Sequence, residues 1–163
     1  MGRVSPLLQA AGLWRSEYDG GDRREWLQRV VRLVLPRVRR LPDFVQHAAP
    51  FLTATVEYDP EAVRKHLTQA GLDDHIEALI IAFEAFDADT QPFEEGTIER
   101  VLRAVADERR IKAASLIHAA RIAATGKSVS PGIFEVLALL GKPLTIRRLG
   151  DLVRYLRDSS SLP

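Results

Sequence analysis

The sequence predicts an all-α protein, a helical domain made of two packed helical subdomains, and three observations lead to that class. Apolar residues recur at intervals of three and four along most of the chain, and strand-like alternation is nearly absent. The breaks between periodic runs also carry the residues that start and stop helices, with Asp, Ser or Pro before a run and Gly after it. A length of 163 residues suits one cooperative core or two small helical subdomains sharing an interface, and is too short for a complete two-domain enzyme. The expected boundaries are residues 1–58 for the first subdomain, 59–158 for the second, and a disordered tail over 159–163.

Asp22 can cap a helix whose apolar positions Trp26, Val30, Leu33 and Val34 share a stripe, with Arg24, Arg32 and Arg39 on other faces. Pro36 ends or kinks it. Pro42 suits the first turn of the next helix, which carries Phe44, Val45, Ala48, Ala49 and Phe51. At Asp59-Pro60-Glu61 a capping carboxylate, a pre-set φ and a first-turn acid all mark one helix start, and Gly71 is expected to close that helix. Asp73 to Phe86 places Ile76, Leu79, Ile80 and Phe83 on one stripe, which predicts a largely buried helix. Ile98, Val101, Leu102 and Val105 mark another, ending near the basic cluster Arg109, Arg110 and Lys112. Leu116, Ile117 and Ile122 mark a helix broken at Thr125-Gly126, Ser130-Pro131 starts one that stops at Gly141, and the last runs from about Pro143 into Arg157.

The net charge of +1 conceals a segregation of sign along the chain. Residues 1–56 carry +4, residues 57–108 carry −10 and residues 109–163 carry +7. Two basic segments around an acidic middle would form one positive, phosphate-binding face if they met in space; the plainer reading is three solvated helix faces. There is no cysteine, so disulfides and thiolate metal sites are excluded and a reducing, cytoplasmic setting is expected. No run approaches the ~20 apolar residues of a membrane span, and no apolar leader follows the N-terminus.

Several catalytic signatures fail. Gly126-Lys127-Ser128 ends like a P-loop, but the leading glycine would have to stand where Arg121 is, on a helix rather than after a strand. His47, His66, His75 and His118 show no pair at metal-ligand spacing and read as surface or packing residues. No residue can be named as catalytic, and no cofactor or metal is expected in this chain.

The segment from Lys112 to Gly141, KAASLIHAARIAATGKSVSPGIFEVLALLG, decides the functional reading. An arginine near a helix end is followed by small residues and Thr-Gly, here Arg121 to Gly126; a Ser-Pro-Gly start at Ser130 then opens an apolar helix to Leu139-Leu140-Gly141, before the basic Leu144-Thr145-Ile146-Arg147-Arg148-Leu149. This pattern resembles the C-terminal anticodon-binding domain of bacterial-type, class I glutamyl-tRNA synthetases. Upstream, Val4 to Leu13 looks like that family's entry into its anticodon-binding region and Arg37-Val38-Arg39-Arg40-Leu41 like its next basic helix end, so the resemblance covers about residues 4–156. The chain departs from the family at Ala119-Ala120, where Pro-Leu is frequent, and at Phe93, where tryptophan is frequent.

On physical grounds alone, Ser130 as N-cap with Pro131 at the first helical position would leave the amides of Gly132 and Ile133 open at a positive dipole end. Arg121 offers a planar fork for an unpaired base and is expected to face the same cleft. The plainer alternative is an ion-paired surface arginine beside a well-capped turn. The resemblance implies that Arg121, Ser130, Pro131 and Ile133 contact anticodon bases, and that Arg37 or Arg40, read as sharing one helix face, discriminates the third base or supports phosphate contacts. It further implies that tRNA(Glu) is the partner, that a catalytic domain using ATP and magnesium precedes the chain, and that the chain is an excised piece of a ligase. The alternatives are a free-standing paralogue acting as an RNA-binding adaptor and a helical protein-interaction module.

Overall fold

The computed structural model describes residues 2–40, 42–87 and 89–160, and among these the chain holds nine α-helices, two short 3-10 turns and no strand. The all-α expectation is borne out. The chain divides into two compact units, Met1–Thr55 and Val56–Pro163.

In the first unit, α1 (Ser5–Ala10), which no apolar period announced, takes Pro6 in its opening turn and buries Leu8. Next, α2 (Gly21–Val34) starts from an extended Gly20, so Asp22 sits inside the first turn and favours the positive dipole end rather than capping it. The buried stripe is Leu27, Val30, Leu33 and Val34. Trp26 lies at the rim instead, where it stacks on buried Tyr18 and carries the Arg23 guanidinium 4.1 Å above its ring. Pro36 ends α2 as expected: the backbone tightens into a 3-10 turn over Leu35–Arg37 and leaves the helical region at Val38. α3 (Asp43–Leu52) follows Pro42 and buries Phe44, Ala48, Phe51 and Leu52 as it packs on α2.

Among its described residues the second unit holds six helices. The capping carboxylate of Asp59 accepts from the Glu61 amide at 3.0 Å and opens α4 (Pro60–His66) where the sequence placed it. Gly71 does not close that helix. α4 ends at His66, and Gly71, left-handed at φ +70°, begins α5 (Leu72–Glu84). α6 (Glu95–Glu108), α7 (Ala113–Thr125), α8 (Ile133–Leu140) and α9 (Lys142–Ser160) follow. Phe93 joins Phe83 and Phe86 in an edge-on cluster with centroids 5.4–5.9 Å apart, which fills the space under the α5–α6 connection.

α5 lies antiparallel along α9, and charge fixes the register at both ends. Lys142 Nζ donates to the carbonyls of Glu84 (3.0 Å) and Phe86 (2.7 Å), placing a cation at the negative end of α5. At the other end the Arg157 guanidinium meets Asp73, Asp74 and Glu77, acids of the positive end of α5, at 3.1, 3.4 and 2.7 Å. α9 does not stop at Arg157. Ser159 and Ser160, expected in a disordered tail, are helical and donate back to the carbonyls of Tyr155 and Leu156; residues 161–163 lie outside the described residues.

α7 is the helix the others surround. It packs on α4, α5, α6, α8 and α9, and its alanines 119, 120, 123 and 124 are buried together with Leu116, Ile122 and Thr125. Small side chains let neighbouring backbones approach closely, so the Ala-Ala step suits a central helix. It terminates at Gly126, left-handed at φ +77°, whose α-carbon lies so close to the extended segment before α4 that a Cβ would overlap the Glu57 carbonyl oxygen. Gly126→Ala is therefore expected to lower unfolding free energy by about 2–4 kcal/mol, from left-handed strain plus a backbone clash. Gly96→Ala, with open space around its Cβ, should be neutral or stabilising by up to ~1 kcal/mol. Urea denaturation followed by circular dichroism measures both, and equal behaviour of the two variants would contradict the close approach at Gly126.

Candidate nucleic-acid interface

A helix that ends inside a protein leaves carbonyls that water cannot reach, and the last turn of α7 satisfies its own from four directions. The Gly126 amide donates to the Ile122 carbonyl at 2.7 Å, and the Thr125 hydroxyl donates to that of Arg121 at 2.8 Å while accepting from the Lys127 amide at 3.2 Å. The Asp59 amide donates to the Gly126 carbonyl at 2.8 Å, which joins the start of α4 to the end of α7. The fourth partner is Arg148 of α9, a guanidinium only 1% exposed, which donates to the Ala124 carbonyl. A cation at the negative end of a buried helix is electrostatically well placed. Burial, with Arg147 nearby, pulls its pKa down to about 10, so it remains charged at neutral pH, supported by Tyr58 and Asp151. Tyr58 in turn is pushed up to about 12, first by burial and then by the Asp151 carboxylate.

One turn back along α7, Arg121 projects from this braced end. Its Nε donates to the Ser130 hydroxyl at 3.1 Å, and one terminal nitrogen lies 3.5 Å from His118 Nδ1. The guanidinium is half-buried, and that burial lowers its pKa. Among the described residues no carboxylate stands within ion-pair distance of it. The plainer alternative of an ion-paired surface arginine therefore finds no partner here, and the expected convergence of Arg121 with Ser130 is present.

The start of α8 differs from the sequence reading. The helix begins at Ile133 with Gly132 as its N-cap, and no side chain caps it, so Ser130 is not the N-cap and Pro131 is not the first helical residue. The hydroxyl of Ser130 is used elsewhere, accepting from Arg121 and donating to the Pro131 carbonyl at 2.7 Å. Pro131 is buried and Ile133 is 3% exposed, so both turn their side chains inward and only backbone is offered at this turn. Gly132 is exposed, and the first-turn amides of α8 have no intrahelical acceptor.

Arg37 and Arg40 belong to the first unit, and the shared helix face expected for them does not form. Arg37 sits in the 3-10 turn and its guanidinium donates to the Leu33 carbonyl at 3.1 Å, capping the end of α2; Arg40 lies beyond the extended Val38 and is exposed. An i, i+3 relation brings side chains together only while the backbone stays helical.

His66 and His118, read from the sequence as surface or packing residues, pack on each other, a pairing the sequence reading did not anticipate. The two rings stack with centroids 4.0 Å apart and planes at 18°, which joins α4 to α7 directly beside Arg121. Spacing along the chain gave no hint, because the pairing arises from the packing of two helices. Among the described residues no group of His, Asp and Glu is arranged to hold a metal ion, and no helix is long and apolar enough to cross a membrane.

Residues 3–153 match the family described as the anticodon binding domain. Over 151 residues the chain is 37% identical to glutamate–tRNA ligase 2 of Koribacter versatilis (strain Ellin345), covering 90% of this chain and 30% of that protein. It is 33% identical over 132 residues to the glutamate–tRNA ligase of Syntrophobacter fumaroxidans, covering 81% of this chain and 27% of that one. In fold it is similar to the crystal structure of a glutamate tRNA ligase from Elizabethkingia meningosepticum, with a TM-score of 0.77 at 17% identity over 95% of this chain and 28% of the other. The chain thus spans slightly under a third of the length of the relatives it matches.

Arg148→Ala should lower stability by about 2–4 kcal/mol, since it opens a cavity and strands a buried carbonyl. Hydrogen exchange should quicken first in residues 121–126, ahead of α5 and α6. A stability loss spread evenly over the second unit would mean that Arg148 is ordinary core and not a brace for the end of α7.

Proposed function

Because the chain belongs to the anticodon binding domain family, we propose that it is the part of a glutamate–tRNA ligase that binds the anticodon arm of tRNA(Glu). The observation that carries this reading is the Arg121 guanidinium: charged, half-buried, without a carboxylate partner among the described residues, and fixed against Ser130 beside an exposed backbone turn. RNA sequence is normally read on unpaired bases by stacking and by hydrogen bonds to their edges, and a planar five-donor fork suits both modes. Arg121 is assigned the role of base reader. Ser130 orients it, while Gly132 and Ile133 offer backbone amides and the inward Pro131 and Ile133 side chains shape the floor of the turn.

Phosphate contacts come from the basic ends of the chain. Exposed cations such as Arg110, Lys112 and Lys127, with whichever of Arg37 and Arg40 does not read a base, supply charge that gives affinity without sequence preference. One of Arg37 and Arg40 reads the third anticodon base. Chemistry belongs to a catalytic domain elsewhere in the parent ligase, which uses glutamate, ATP and magnesium in the cytoplasm.

The test is a pair of affinities, one for an RNA hairpin with the native glutamate anticodon loop and one for a hairpin with those bases substituted. The unaltered chain should prefer the first, and its binding should weaken steeply as salt is raised, as counterion release requires. Arg121→Ala should cost roughly 1–3 kcal/mol on the native loop only, with little change in melting temperature. Arg157→Ala serves as control, since that guanidinium is already engaged by three carboxylates of α5 and lies beyond the matched segment. Equal loss on both hairpins would make Arg121 a phosphate contact; salt-independent association would remove the RNA reading altogether.

A further inference from the structure

We propose that His118 is a positioning residue for Arg121, its neutral imidazole holding the guanidinium in the orientation that reads a base, so that anticodon discrimination is lost when His118 takes up a proton. The proposal rests on the base-reading role assigned to Arg121 above and adds a residue and a pH dependence to it.

Arginine has donors only, so a hydrogen bond between its terminal nitrogen and His118 Nδ1, which stand 3.5 Å apart, is one in which Nδ1 accepts. The ring proton then sits on Nε2 and the imidazole is neutral. Two points define the direction of a planar fork: Ser130 Oγ on Nε and His118 Nδ1 on one terminal nitrogen, which leaves the remaining edge to present to a ligand. The His118 ring is itself prevented from turning, because it stacks on His66 at 4.0 Å. His66 is the last residue of α4, whose first turn is tied by Asp59 to the end of α7, so the orienting ring is fixed by the same two helices that carry Arg121.

The electrostatic setting keeps the ring neutral at physiological pH. His118 lies below its ordinary value of 6.5, through burial first, then His66, Arg121 and Lys65. The charges that face it are His66 and Lys65 from α4 and Arg121 from its own helix; α5, α6, α8 and α9, which also pack on α7, present none to it among the described residues. All are cationic or become so on protonation. A proton on Nδ1 would replace an acceptor by a donor and set a like charge against the guanidinium, so Arg121 would swing away. The sign is opposite to that of a simple phosphate-binding histidine, which strengthens RNA binding as pH falls.

The measurement uses the full chain with the two hairpins, native and substituted, at about pH 7.5 and at the lowest pH at which circular dichroism shows the chain still folded. The native-to-substituted affinity ratio should fall roughly three- to tenfold at the lower pH, the scale of one hydrogen bond, while affinity for the substituted hairpin is kept or rises. His118→Asn, whose Oδ1 can stand in for Nδ1 but does not titrate, should retain the ratio at both pH values. His118→Ala should show the reduced ratio at both. A pH-independent ratio in the unaltered chain, or a His118→Asn variant as indiscriminate as His118→Ala, would overturn the positioning role. If His118→Ala keeps the preference that Arg121→Ala loses, the anticodon reading survives and this proposal fails; absence of preference in the unaltered chain at the higher pH removes both.

Discussion

The buried C-terminal end of α7 is the constraint on which the second unit depends. A helix enclosed by five others cannot hand its last carbonyls to solvent, so the sequence must provide partners from elsewhere in the chain. It does so with a left-handed glycine, a back-bonded threonine, the amide of Asp59 and the guanidinium of Arg148. Each partner brings its own element along. Asp59 begins α4, Arg148 lies in α9, and the turn after Gly126 leads to Ser130 and α8, so satisfying a few polar groups also sets where three other helices lie. Arg121, one turn back along α7, inherits a rigid base.

Charge segregation along the sequence serves the fold before it serves any partner. The acidic middle and the basic last segment meet within the second unit, where Arg157 and Lys142 lock the two ends of α5 onto α9. Arg109 is likewise engaged, by His75 Nδ1 at 3.0 Å. A count of basic residues therefore overstates the charge available to phosphate. Arg121 is also held by neutral partners, a hydroxyl and an imidazole, and differs from the exposed Arg109 in being half-buried.

Helix starts and stops with a strong local cause were legible in the sequence: Asp59-Pro60-Glu61, the stop before Pro36 and the break at Thr125-Gly126 all follow from backbone chemistry within four residues. Arg121 and Ser130 could be singled out because their pattern resembles a known family, and the geometry then joined them. What could not be read depended on partners distant in sequence. Ser130 looks like an N-cap until Arg121 competes for its hydroxyl; Arg148 looks like a solvated member of a basic helix until α7 ends beside it; Arg37 and Arg40 look like one helix face until Val38 leaves the helical region. The His66–His118 stack has no local signature at all, since neither residue has an apolar or metal-ligand spacing to mark it.

The base-reading role proposed for Arg121 would separate affinity from discrimination. Phosphate neutralisation by mobile lysines and arginines is additive and indifferent to base identity, so more cations bind any RNA more tightly. A donor array whose direction is set before the ligand arrives spares any base the ~2 kcal/mol of arginine rotamer freedom otherwise lost on binding, and it discriminates because a base whose edge does not match leaves donors unpaired. In this chain that ordering takes place during folding. Ser130 and His118 hold Arg121 in the unliganded structure, the stack with His66 holds His118, and the packing of α4 on α7 holds the stack. Under the proposed role, a base that fits the preset fork gains its hydrogen bonds with little further loss of freedom, whereas one that does not fit is accommodated only by breaking the Ser130 or His118 contact.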